Sequence, residues 1–176
     1  MERIINLSAG AYTAQINLSR GANCIALRNT KYQASILREP NYAALDNPYL
    51  YGMPILYPNN RISGGRFLFE GREYVFPINE PSTNCHIHGF LHDTNFALLD
   101  KGEDFVVCEY VATKTAPDCD FPHEFSIKMK YQITENGLIS EIEIENRFDR
   151  FFLWEHILKS IDVINRLWIR WKAHAE

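Results

Sequence analysis

The stretch "EFSIKMKYQITENGLISEIEIEN", residues 124 to 146, constrains the fold more than any other part of the chain. Phe125, Ile127, Met129, Tyr131 and Ile133 alternate with Ser126, Lys128, Lys130 and Gln132, which is the period of a strand with one buried and one wet face. A helix would scatter the same residues around its circumference. Asn136–Gly137 supplies the positive φ that a tight hairpin turn requires. The return strand sets Leu138, Ile142 and Ile144 against Glu141, Glu143 and Glu145, so glutamates on one strand can meet lysines on its neighbour. Shorter period-two runs recur along the chain, broken by Gly, Pro or Asn: two strands around Gly21 in "YTAQINLSRGANCIALRN", another in "GREYVFPIN", another in "DFVVCEYVATK". The expected fold is mostly β, an antiparallel β-sandwich with one solvated face.

Composition narrows what such a sandwich can do. With 176 residues, 46% hydrophobic and 13% aromatic, the chain has material for the core of one ordinary domain. The formal net charge is −4, from 18 basic and 22 acidic residues, and no basic stripe stands out before residue 147, so nucleic acid is not an expected partner. Cys24, Cys85, Cys108 and Cys119 are widely spaced and form no CxxC pair, which argues against a zinc ribbon and reads as a cytoplasmic protein. The first residues lack the apolar core of a secretory signal, and no run approaches the ~18 apolar residues of a spanning helix, so no membrane is expected.

At about residue 147 the period changes. In "FFLWEHILKSIDVINRLWIRWKAHAE", which holds all three tryptophans, Trp154, Ile157, Leu158, Ile161, Ile164, Leu167, Trp168 and Trp171 follow helical spacing, with Glu155, Lys159, Asp162, Arg166 and Arg170 opposite them. The pattern predicts two regions: a β-sandwich over 1–147 and an amphipathic helical tail over 148–176. The tail either docks on the sheet or is an aberrant continuation beyond a junction.

Two stretches carry chemistry. In "PNNRISGGRFLFEG", residues 58 to 71, Pro58, Asn59 and Asn60 predict a turn and Gly64–Gly65 a second bend, with Phe67 and Phe69 aimed at a core. Arg61 has no place in that account. In "CHIHGFLHD", residues 85 to 93, His86 and His88 would share a strand face and His92 could return after Gly89. Three imidazoles at that spacing resemble the HxH start of cupin metal sites, with Asp93, His123 and His156 as further ligand candidates. Each histidine taken alone is more simply read as a solvated or hydrogen-bonded residue at a strand end.

Taken in order, "YGMPILYPNNRISGGRFLFEGREYVFPINE", "IHGFLHD" and "FPHEFSIKMKYQITENGLISEIEIEN" resemble the aldose 1-epimerase family, mutarotases with a galactose-mutarotase-like β-sandwich. "LSRGANCIAL" looks like the family's early strand, and the resemblance spans about residues 1 to 147. It implies that Arg61 reaches the sugar and that His88 is the catalytic histidine of the HG motif. Asn60, Asn79 and Phe96 are the further candidates for lining the cleft. An Arg suits such a role because its planar fork of donors grips two oxygens and stays charged. The implied reaction interconverts α and β anomers of an aldohexose of glucose or galactose type by acid and base catalysis, with no metal or organic cofactor.

The family's second catalytic His, its acidic sugar contact and its catalytic Glu lie beyond the point where the resemblance stops. Neither Glu155 nor Glu176 aligns with that base. Three readings therefore stand: an aldose 1-epimerase-like protein, truncated and with impaired activity; a carbohydrate-binding sandwich that keeps Arg61 and His88 without interconverting anomers; and a cupin-like metal enzyme using His86, His88 and His92. An incomplete sandwich would leave sheet edges and an apolar face uncovered, for which a homodimer is one expected remedy.

Overall fold

The computed structural model describes residues 3–41, 47–69, 71–113, 121 and 123–146, and the backbone of 167–173. Two sheets make the sandwich. In the first, β1 (Ile4–Ala9), β2 (Tyr12–Asn17), β3 (Asn23–Asn29) and β4 (Ala34–Ser35) lie side by side in chain order, all antiparallel. The second contains β9 (Ala97–Lys101), β10 (Phe105–Ala112), β11 (Phe125–Thr134), β12 (Gly137–Asn146) and β13 (Leu167–Ala173), in the order β13-β12-β11-β10-β9.

The long hairpin follows its sequence pattern closely. β11 and β12 pair antiparallel from Phe125↔Asn146 to Thr134↔Gly137 without a register shift. Phe125, Ile127, Met129, Tyr131 and Ile133 are each 1% exposed. Leu7, Ala14 and Ile16 of the other sheet join them in one buried cluster, which is what holds the layers together. On the outer face Lys130 lies opposite Glu141 at 3.4 Å and Lys128 opposite Glu143 at 3.8 Å. On the inner face of β12, Ser140 lies directly opposite Tyr131 and is hydrogen-bonded to it. A small hydroxyl there gives the fully buried phenol both room and a partner.

The tail departs from expectation where it is described. Residues 167–173 form β13, paired parallel to β12 from Ser140↔Leu167 to Asn146↔Ala173, instead of a helix. The remainder of the predicted helix, with His156, lies outside the described residues. Seven residues are too few to separate the two periods: Leu167, Ile169 and Trp171 alternate as well as they wind. An open strand edge offering backbone partners decides between them.

Two small two-stranded sheets complete the description. β6 (Arg66–Phe69) pairs with β7 (Arg72–Val75), and β5 (Arg61–Ser63) pairs with β8 (Cys85–Ile87). Gly64–Gly65 forms the expected bend between β5 and β6, both at positive φ. Phe69 packs on the core, whereas Phe67 is part-exposed and stacks on Tyr74 at 4.7 Å. Among the described residues no helix is long and apolar enough to cross a membrane.

Candidate functional site

The site begins with the pairing of two three-residue strands. Arg61 of β5 lies opposite Ile87 of β8, and the His88 N–H bonds the Asn60 carbonyl at 3.0 Å, so the chain brings Arg61 and His88 to one end of the ladder. So short a ladder needs outside support, and Asn79 gives it. Its Oδ1 accepts from Ile87 N at 2.6 Å and its Nδ2 donates to Ile87 O at 2.9 Å. Asn79, expected as a sugar contact, is thus a strut for β8.

Beyond Ile87 the backbone turns sharply. His88 and Gly89 take φ of +63° and +64° in succession. For Gly89 the reason is contact: a Cβ there would collide with the Tyr57 carbonyl, which accepts from Phe90 N at 2.9 Å. His88 has a Cβ and bears the cost of the left-handed region, ~1–2 kcal/mol. Such strain is found most often where a side chain has to be aimed. Asn60, across the ladder, is also left-handed at φ +63°.

The turn separates the histidines that a regular strand would have aligned. His86 is 4% exposed, its Nδ1 lies 2.7 Å from the Pro77 carbonyl, and its ring packs on Phe76. His88 and His92 instead pack on Tyr49, with ring centroids 4.6 and 4.8 Å away. His123 is elsewhere again, its Nε2 2.7 Å from the Tyr74 hydroxyl and its ring against Phe121. No group of three or more His, Cys, Asp or Glu side chains able to hold a metal ion occurs among the described residues. The expectation that His86 and His88 share a face fails because β8 ends between them.

Arg61 carries a partner that spacing did not reveal. Its Nε and Nη2 bond Glu80 Oε2 and Oε1 at 2.6 and 2.8 Å, a two-pronged pair in which Glu80 also accepts from the Thr83 hydroxyl. The guanidinium, followed by Thr83, holds the Glu80 carboxyl down at about 2. The Arg61 side chain is still half exposed, and Nη1 lies outside the fork. His88 is shifted below the ordinary imidazole value by burial and then by the Arg61 charge, with Glu80 opposing. His92 is lowered too, first by burial. Both rings are therefore neutral near pH 7.

Phe96 does not belong to this site. It is 1% exposed, packs on Tyr110, and its carbonyl accepts from Arg3 Nη2 at 2.7 Å, so it is a core residue with no face for a ligand. Sequence reasoning missed Glu80 and Tyr49. Glu80 lies 19 positions from Arg61 and Tyr49 lies in a loop, and no local period marks either.

Comparison with known proteins bears on what this arrangement is for. The model of the family described as aldose 1-epimerase matches residues 3–153. The chain belongs to the aldose 1-epimerase family. Like other members it carries the sandwich: a galactose mutarotase-like protein of Clostridium acetobutylicum superposes with a TM-score of 0.68 at 32% identity, over 78% of this chain and 46% of that one. A putative aldose 1-epimerase of Escherichia coli K12 superposes with a TM-score of 0.66 at 18% identity, over 84% and 47% of the two chains, and supports the fold alone. In sequence, the uncharacterized protein YihR of Escherichia coli K12 is 29% identical over 149 residues, 81% of this chain and 44% of that protein. This family member thus spans somewhat less than half the length of these relatives.

Proposed function

We propose that the end of the β5–β8 ladder binds an aldohexose and serves the interconversion of its α and β anomers. The observation that carries this reading is the convergence of an exposed, Glu80-braced guanidinium and a neutral, strained imidazole on one short ladder in a member of the aldose 1-epimerase family. Anomer exchange needs a proton taken from the C1 hydroxyl and one delivered to the ring oxygen; the C1–O5 bond opens, the aldehyde rotates, and reversal closes the other face. His88, neutral near pH 7, can take up or share a proton at the sugar. Arg61 orients hydroxyls through Nη1 while Nε and Nη2 hold Glu80. This chemistry calls for no metal and no organic cofactor.

One observation favours a second reading, in which the sugar is bound without being interconverted. Glu80, the carboxylate at this site, is held at about 2 and so is a poor proton acceptor at neutral pH. The other carboxylate near the site, Asp93, is held in an ion pair with Arg20.

Saturation-transfer NMR of α-glucose and α-galactose anomerisation, run with the protein and with Arg61→Ala and His88→Ala, separates the readings. Acceleration abolished by both changes supports the epimerase. Saturable, sugar-dependent shifts of the His88 signals without acceleration support binding alone. Absence of both responses from folded protein overturns the sugar site.

A further inference from the structure

The ring of Tyr49 touches two imidazoles at once, edge-on to His88 at 62° and to His92 at 66°. Nδ1 of each histidine is buried and has no hydrogen-bond partner among the described residues. A buried imidazole in a binding site is ordinarily oriented by a hydrogen bond at the nitrogen that faces the protein. Among the described residues that nitrogen has none, and what the structure shows against the His88 ring is packing. The second contact is the His92 ring, which donates to the His88 carbonyl and so braces the strained residue from behind.

We propose that Tyr49 is a positioning residue for His88, fixing the imidazole in one orientation by ring packing, with His92 as the strut that links ring and backbone. The purpose of this arrangement rests on the sugar-site reading; the arrangement itself does not. A neutral imidazole able to turn about its Cβ–Cγ bond would present either nitrogen to a ligand, while one wedged beside a flat ring presents one. The charged and titratable groups around the cluster are Arg61 and Glu80 beside His88, Asp93 and His86 beside His92, and Asp93 and Glu80 beside the Tyr49 hydroxyl. None of them supplies the missing bond at Nδ1.

The test is the titration of the His88 and His92 Cε1–H signals by NMR, between about pH 4 and pH 8, in the protein, in Tyr49→Phe and in Tyr49→Leu. Tyr49→Phe keeps the ring and is expected to titrate as the unaltered protein does. Tyr49→Leu removes the wedge, admits water, and is expected to move both midpoints up toward the ordinary imidazole value of about 6.5. Tyr49→Met, which fills the space without a flat ring, carries the same test should the leucine variant not fold. If the protein accelerates anomerisation, Tyr49→Leu is expected to lower kcat at least tenfold with a smaller change in KM, and Tyr49→Phe to restore it. Unchanged titrations in Tyr49→Leu, or a Tyr49→Phe that behaves like the leucine variant, overturn the positioning role. Shifted titrations in a protein that neither binds nor interconverts hexoses uphold the positioning role and remove only the sugar reading.

Discussion

The β11–β12 hairpin and the β5–β8 ladder are both antiparallel pairs, yet they are held in opposite ways. The hairpin has ten paired positions in unbroken register, and its inner face is buried against the other sheet. The ladder has three, and depends on an Asn79 clamp, two consecutive left-handed residues and a backbone contact at Gly89. One is stabilised by area removed from water, the other by particular groups meeting at particular points. The first kind tolerates change in proportion to its size, whereas the second fails at single atoms.

The sharpest way to break that comparison is to change one glycine in each circumstance. Gly89→Ala drives a methyl into the Tyr57 carbonyl and is expected to cost 4 kcal/mol or more, roughly the exceptional end of single substitutions. Gly64→Ala, equally left-handed but with open space around it, should cost about 1–2 kcal/mol, backbone strain alone. Urea unfolding of the two variants measures the gap; equal costs would mean that the Gly89 contact is not what holds the turn. In the hairpin, Met129→Ala removes a fully buried side chain and should cost about 2–5 kcal/mol. Amide chemical shifts of Arg61 and His88 should not move in that variant, and large shifts there would show the two regions to be one unit.

Acid should act on the irregular region first. His123 is lowered from 6.5 to about 4, by burial and then by the Arg72 charge. Between those values the unfolded chain binds a proton that the folded chain refuses, so stability is complete above about pH 6.5 and falls on acidification toward pH 4. The loss from His123 is about 3 kcal/mol at most. His88 and His92 are lowered too and add to it in the same direction. Unfolding midpoints recorded against pH test this, and a flat profile from pH 7 to about pH 4 would contradict it. The smallest effect belongs to the outer face of the hairpin: Glu143→Gln breaks the exposed pair with Lys128 and should change stability by less than about 0.5 kcal/mol.

How much of this was legible in the sequence divides along the same line. Alternation from Phe125 to Ile133 reports burial directly, because every second residue of a strand meets the same environment. The order of the Arg61 and His88 motifs led the sequence to expect both in one cleft, and the β5–β8 pairing sets them at one end of a short ladder. Asn79 and Phe96 were read as cleft residues and are a strut and a core residue, since neither motif nor period records which way a side chain points. Glu80 and Tyr49 were invisible because turns bring them in, and a turn such as His88–Gly89 leaves no period behind it. Around residue 170 the letters satisfied two periods at once, and pairing with β12 chose the strand.

The Asn79 clamp has a consequence for how motion is distributed in this fold. By accepting from the Ile87 N–H and donating to its carbonyl, one side chain supplies both bonds that an adjacent backbone would otherwise make. For Ile87 the two-stranded patch therefore behaves like the interior of a wider sheet. Its amide proton should exchange with solvent deuterium more slowly than those of the neighbouring turns, marking a small rigid island beside a residue whose own backbone is strained. Stiffness in such a patch can thus be local, created by one borrowed amide, without extending the secondary structure around it.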